Sequence, residues 1–341
     1  PHAYVVSVPD DANAQAVANL GFVRWSAPYQ PAWKVEPSLL DLQGDVTVNI
    51  SVFADEPEVA AKAAVNSVAG VRLHASGLNG SEVLLTATVP AGALAELASL
   101  PAVQFIEPAL EGTLRNETGH DAVQSGTNNV RPLWNNGLTG AGQVVGVQDS
   151  PINVNHCMFS DSVPVGASHR KILSYAGSLG SASHGTHVAG TVAGNRVGTG
   201  PDDDFHGVAY DAKIVFARTP SFLNGAQFYS QLQSAHNLGA RVHTNSWGAD
   251  FRTDYNAWTR AIDEFSYNFE ESLIVFAVSN QSALYTPENA KSVLAVGASS
   301  DIPNINSHCF GGVGPTQDGR RKPEIYAPGC NIMSANSGTT C

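Results

Sequence analysis

The sequence predicts an α/β fold, a mainly parallel sheet flanked by helices, preceded by a smaller α+β unit. Apolar strand runs at 144–147, 213–217, 273–278 and 293–296 alternate with helical segments at 184–194, 223–237 and 255–268. That alternation builds parallel sheets, whose ligand sites lie at the carboxyl ends of the strands. Ahead of it, residues 46–108 read as strand, helix, two strands, helix, strand, the order of a ferredoxin-like split βαβ unit.

In chain order, a strand is predicted at 4–8, a short helix near 13–20, and an aromatic, proline-rich stretch at 25–37. Residues 1–45 are thus an extension expected to pack on the unit that follows. Val46, Val48, Ile50 and Val52 then alternate with polar residues, the period of a half-buried strand. Alanines and valines recur at helical spacing over 56–68, behind Asp55 as N-cap. Strands at 71–75 and 83–89 flank a turn at Gly77-Leu78-Asn79-Gly80, Pro90 leads a helix over 91–100, and a strand at 103–106 completes the unit. The polar segment 111–129 has no core of its own and reads as a linker. The division expected is 1–45, 46–110, 111–129 and 130–341.

Composition narrows the partners. The chain has 341 residues, more than one average domain, and 43% of them are hydrophobic, enough to fill sizeable cores. Its 18 Lys and Arg against 30 Asp and Glu give a net charge of −12, and no basic stripe appears that could neutralise phosphates, which excludes nucleic acid. No run approaches the ~18 apolar residues of a membrane span. The first residues lack the basic and apolar parts of a signal peptide, as in a chain already trimmed. Cys157, Cys309, Cys330 and Cys341 have no CxxC spacing, which favours disulfides over zinc. Asn49, Asn79, Asn116 and Asn280 each open an N-glycosylation triplet. Together these features point to a secreted or lumenal protein.

The strongest local pattern is Ser183-His184-Gly185-Thr186-His187-Val188-Ala189-Gly190-Thr191, where a histidine opens a helix of small residues. The helix dipole disfavours a protonated imidazole there, and a general base must be neutral. Upstream, Val144-Val145-Gly146-Val147-Gln148-Asp149 is a buried strand ending in a carboxylate that can hold an imidazole in one tautomer. A third strand ends in Ala277-Val278-Ser279-Asn280, and an asparagine amide there can donate to a developing oxyanion. A lone histidine, aspartate or asparagine at such a position is ordinarily structural; the flanking motifs reverse that reading.

These motifs resemble the subtilisin family (subtilases, S8) of serine endopeptidases. Gln148-Asp149-Ser150-Pro151 looks like its aspartate motif, 183–191 matches its histidine motif nearly residue for residue, and Asn245-Ser246-Trp247-Gly248 looks like its substrate-binding edge. The order aspartate, histidine, distant serine is that of subtilisin. The resemblance covers 130–341 and implies catalytic roles for Asp149, His184 and Asn280 and substrate binding by Ser246, Trp247 and Gly248, through backbone pairing with an extended peptide. It implies that 46–110 is a propeptide acting as inhibitor in cis, and that polypeptides are the substrate. No cofactor is required. Structural calcium occurs in the family, but Asp202-Asp203-Asp204 reads as a solvated acidic loop and no metal ligand is assigned.

The departures are equally specific. The nucleophile belongs to a Gly-Thr-Ser motif, and the nearest string is Gly338-Thr339-Thr340. The interval from Gly329 to Thr340 is about half of the roughly twenty positions usual in the family, since a nucleophile elbow needs an intervening strand and turn. The expectation is a peptidase domain incomplete at its C-terminal end, with the serine just past Cys341 in the same precursor, carried on a C-terminal fragment as partner if the chain is cleaved there. Pro151, Ser279 and the 310–315 segment also depart from the family pattern. Two functions follow: an endopeptidase present as a precursor or processed chain, or a catalytically inactive relative serving as a structural or binding module in an extracellular assembly.

Overall fold

The computed structural model describes residues 4–8, 10–79, 82–109, 113–114, 120–199, 205–302, 304–330 and 332–340. The chain forms two compact units, one built on residues up to 75 and 85–108, the other on 76–84 and 109 onward.

The first unit opens with α1 (Asp11–Ala18), capped by Asp10, whose carboxylate accepts from Asn13 N at 2.8 Å. Residues 4–8 are not the expected strand: Tyr4, Val5 and Val6 are exposed, since an apolar run needs a neighbouring edge to pair with. The extension packs through its second half. Tyr29 Oη donates to Gln104 O at 3.0 Å, Lys34 Nζ donates to Leu100 O at 3.0 Å, Val35 bridges Ile106, and Leu39 is buried.

Next come β1 (Asp45–Val52), α2 (Glu58–Ser67), β2 (Arg72–Asn79), β3 (Glu82–Pro90), α3 (Leu94–Ser99) and β4 (Val103–Pro108). The strands form one sheet in the order β2-β3-β1-β4, the ferredoxin-like arrangement, with β1 and β4 antiparallel. Val48, Ile50 and Val52 of β1 enter a core that also takes Ala61 and Val65 of α2 and Leu94 and Leu97 of α3. Local details differ from the sequence reading. Pro57 rather than Asp55 stands at the cap of α2, because proline's fixed φ suits the helix entry. Strand β2 continues through Gly77 to Asn79, where a turn was expected. A 3₁₀ turn, Ala91–Ala93, precedes α3. Asn49 is buried and accepts from Thr86 Oγ1 at 2.9 Å, so its triplet offers no acceptor for a glycan in the folded unit.

The second unit begins with β5 (Thr113–Leu114), α4 (His120–Gln124) and α5 (Pro132–Asn135). The expected linker therefore carries structure. The Asp121 carboxylate closes its turn by accepting from Asn129 N at 2.9 Å and Arg131 Nε at 2.7 Å. Then follow β6 (Val144–Asp149), β7 (Ile172–Ala176), α6 (Ser183–Ala193), β8 (Lys213–Arg218), α7 (Gly225–Asn237), β9 (Val242–Asn245), β10 (Trp247–Gly248), α8 (Ala257–Asn268), β11 (Leu273–Ala277), β12 (Val293–Ser299), β13 (His308–Phe310) and β14 (Ile325–Pro328). The main sheet runs β13-β12-β11-β9-β6-β8-β7 with β14 also on β12, and β13 is its antiparallel member.

Helices α7 and α8 cover one face, with Phe228, Trp258 and Phe265 packed with Ile274 and Phe276. Helix α6 covers the β6 and β8 part of the other, with Val188, Ala189 and Ala193 against Val147, Ile214 and Phe216. A disulfide joins Cys309 to Cys330, and Cys157 is also disulfide-bonded. No helix among the described residues is long and apolar enough to cross a membrane. Asp202, Asp203 and Asp204 lie outside the described residues.

Lys171, at the entry to β7, is buried, and its ammonium donates to Tyr210 O at 2.7 Å and Ala212 O at 2.6 Å. Burial lowers its pKa from 10.5 to about 7. The unfolded chain therefore binds the extra proton between those values, and this group makes stability rise with pH from about 7 toward 10.5. Lys171→Met is expected to flatten that rise, read as the difference in Tm between variant and parent across the window.

Candidate active site

Strand β6 brings Asp149 to its carboxyl end on the α6 face. Its parallel neighbours are level with it: Gln148 pairs with Asn245, and Asn245 with Phe276. The next residues, Asp149, Ser246 and Ala277, therefore leave three adjacent strands at one height, where open α/β sheets bind ligands. Gly146 permits this spacing, since a Cβ there would lie 2.7 Å from His243 Nδ1.

Helix α6 starts at Ser183, which places His184 in its first turn. The helix approaches the end of β6 so closely that a Cβ on Gly185 would lie 2.0 Å from Ser150 O. In that contact Gly185 N donates to Ser150 Oγ at 2.9 Å, and Ser150 Oγ donates to Asp149 Oδ1 at 3.0 Å. A second clamp follows, with Asn153 N donating to Thr186 Oγ1 at 2.9 Å.

Between them, His184 Nδ1 donates to Asp149 Oδ1 at 2.7 Å. Asp149 is fully buried; its oxygen also accepts from Ser150 N at 2.7 Å. Burial pushes the Asp149 carboxyl above its ordinary value, and the bonds from His184 and Ser150 pull the other way. An Nδ1–H held by a carboxylate leaves the lone pair on Nε2, the arrangement of a general base. That Nε2 is buried and has no hydrogen-bond partner among the described residues.

Of the other predicted residues, Ser246 and Asn280 line a cleft of about 250 Å³ that is also bordered by Thr191 of α6, Thr244, Ala277 and Ser279. Asn280 is exposed there, and Ser246 is buried in its wall. The Trp247 side chain is wholly buried, edge-on to Phe228, Trp258 and Phe276. Any contact it makes with a peptide is thus through its backbone. That backbone accepts an extended partner, for Trp247 and Gly248 pair antiparallel with Leu114 and Thr113.

Gly338-Thr339-Thr340 is held beside the start of α6, where Ser183 Oγ donates to Ser337 Oγ at 3.2 Å and Ser181 Oγ to Ser337 O at 2.7 Å. Asn153 Nδ2 donates to Ser337 O at 2.9 Å and Gly338 O at 2.6 Å, Cys157 N donates to Thr339 O at 3.0 Å, and the Thr340 backbone bonds His156. The sequence reading did not single out Asn153 or Glu288, a buried carboxylate in the loop after Asn280. Neither lies in a local pattern that marks it.

The sequence model of the Subtilase family matches residues 140–341. The chain belongs to the subtilase family. Relatives of this subtilase include the serine protease/ABC transporter B family protein tagA of Dictyostelium discoideum, 27% identical over 338 residues, covering 69% of this chain and 19% of the relative. Subtilisin-like protease 1 of Pseudogymnoascus destructans is 24% identical over 283 residues, covering 79% of this chain and 64% of that protein. The chain thus spans less than two thirds of the length of these relatives. Among solved structures, fervidolysin from Fervidobacterium pennivorans, a keratinolytic enzyme related to subtilisin, superposes with a TM-score of 0.57 at 17% identity, over 87% of this chain and 49% of the other. That likeness shows the fold.

The closeness of α6 to β6 is testable apart from any activity. Gly185→Ala forces a methyl into Ser150 O and is expected to cost about 3 kcal/mol in urea unfolding.

Proposed function

We propose that this subtilase is a serine endopeptidase that cleaves peptide bonds through an acyl-enzyme, with its nucleophilic serine supplied by sequence beyond Cys341. The observation that carries this reading is the His184 imidazole, oriented by buried Asp149 at 2.7 Å while its Nε2 has no partner among the described residues. In the reaction the serine Oγ attacks the scissile carbonyl carbon and Nε2 takes the hydroxyl proton. Asn280 donates to the oxyanion, and the imidazolium then protonates the leaving amine. Water, activated by the same imidazole, hydrolyses the ester.

The α6 face of the sheet supports a downstream serine-bearing helix. Val275, Ala277, Val296 and Ala298 are only half-buried along the cleft, although parallel strands are ordinarily covered on both faces. A helix headed by the serine would cover this row. The first unit, with its ferredoxin-like sheet order, is proposed as the propeptide, and the pairing of β5 with β10 is the mode in which a substrate strand would bind. The Cys309–Cys330 disulfide favours an oxidising, secreted setting.

The deciding measurement is a fluorophosphonate probe on the full-length protein, followed by peptide mass spectrometry. A label on a serine downstream of residue 341 is expected, abolished in His184→Ala. A folded sample that takes no label even after its first unit has been cleaved off overturns the reading in favour of a non-catalytic module of an extracellular assembly, whereas labelling that appears only after that cleavage marks an inhibited precursor of the same endopeptidase. Asp149→Asn, which reverses the histidine tautomer, is expected to lower kcat by about 10⁴, the scale seen for the same change in other Ser-His-Asp enzymes.

A further inference from the structure

We infer that Glu288 is the positioning residue for Asn280, through a buried brace built around Ser279. The inference rests on the assignment of Asn280 as oxyanion donor. Glu288 is 0% exposed, and its Oε1 accepts from Ser279 N at 3.0 Å and from Tyr285 N at 2.9 Å. One carboxylate oxygen thereby ties together the two ends of the loop that carries Asn280. Burying a carboxylate is costly unless hydrogen bonds satisfy it, and these bonds converge on the residue directly before the proposed donor.

Ser279 is also fixed at its other polar groups. Its Oγ donates to Ala283 O at 2.7 Å and accepts from Gln281 N at 3.2 Å, and its carbonyl accepts from Gly312 N at 2.9 Å. The facing chain has no side chain to interfere. A Cβ on Gly311 would lie 2.8 Å from Ser279 O, and one on Gly312 would lie 2.4 Å from Ala283 O. Ser279 is fully buried while Asn280, one residue on, lines the cleft. The brace therefore sets the direction in which the Asn280 side chain leaves the backbone. An oxyanion donor acts only when already aimed at the developing charge, and a displacement of about 1 Å can cost about 10² in rate.

The test is a double-mutant cycle in the full-length protein, with kcat and KM on a chromogenic peptide normalised to sites titrated by fluorophosphonate. Asn280→Ala is expected to lower kcat by about 10²–10³, a magnitude measured in subtilisin itself. Glu288→Ala is expected to lower kcat about tenfold or more, with KM changed by less than about twofold. Glu288→Gln, whose amide oxygen still accepts both bonds, restores most of the loss. In the Asn280→Ala background the Glu288 substitution should cost nothing further. Glu288→Asp, which keeps the charge but withdraws the oxygen, runs the same cycle should the alanine variant fail to fold. An Asn280→Ala protein with full kcat defeats the oxyanion assignment itself. If Asn280→Ala is impaired but the Glu288 substitution has no effect, or costs the same factor with and without Asn280, the positioning role is overturned.

Discussion

A carboxylate shut away from water, Asp149, holds an imidazole through one 2.7 Å hydrogen bond, and much of the second unit's geometry follows from keeping that bond. Burial alone would favour the neutral acid, so the charge has to be met by donors at fixed positions. Ser150 supplies two of them, its amide and its hydroxyl, and the same hydroxyl receives the Gly185 amide of α6. Strand end and helix start thus share one hydrogen-bonded knot. The knot tolerates no side chain at 185, and Gly146 lets β6 lie against His243 of the adjoining strand.

The two faces of the main sheet are built differently. The α7 and α8 face is closed by interlocking aromatics, Trp247 among them, and anchors the strands from behind. The α6 face carries the polar strand ends and a half-buried row of small residues. One face gives rigidity and the other stays available for chemistry. Trp247 joins the two: its indole sits in the aromatic core while its backbone, two residues past the end of β9, forms an edge that pairs with an extended strand.

The parts of the fold that were legible in the sequence are those with strong periodicity. The strands at 144, 213, 273 and 293 and the three long helices of the second unit announce themselves by apolar runs and spacing. Strand β9 does not. It reads Val-His-Thr-Asn, yet lies mid-sheet between β6 and β11, with His243 buried deeply enough to bring its pKa to about 4. Here tertiary burial overrides composition. The segment at 4–8 fails in the opposite sense, apolar in sequence but lacking an edge to pair with. At the site, the motifs named Asp149 and His184 because their partners are local in sequence or fixed by the motif itself. The Asn153 contacts join residues 33 to 185 positions apart and come together only by folding, whereas the brace behind Asn280 lies within 279–288 but forms no recurrent motif that would mark Glu288.

The Cys309–Cys330 bond spans 21 residues and joins β13 to the segment just after β14, both of which hydrogen-bond to β12. The chain from 309 to 330 is therefore a closed ring bonded to β12, the strand next to the β13 edge of the sheet. A single peptide-bond cut inside that ring would add one water to the mass but would release nothing: both new ends would stay covalently attached, and the ladders on β12 would still hold them in register. Within this stretch a nick would be a scar rather than a break.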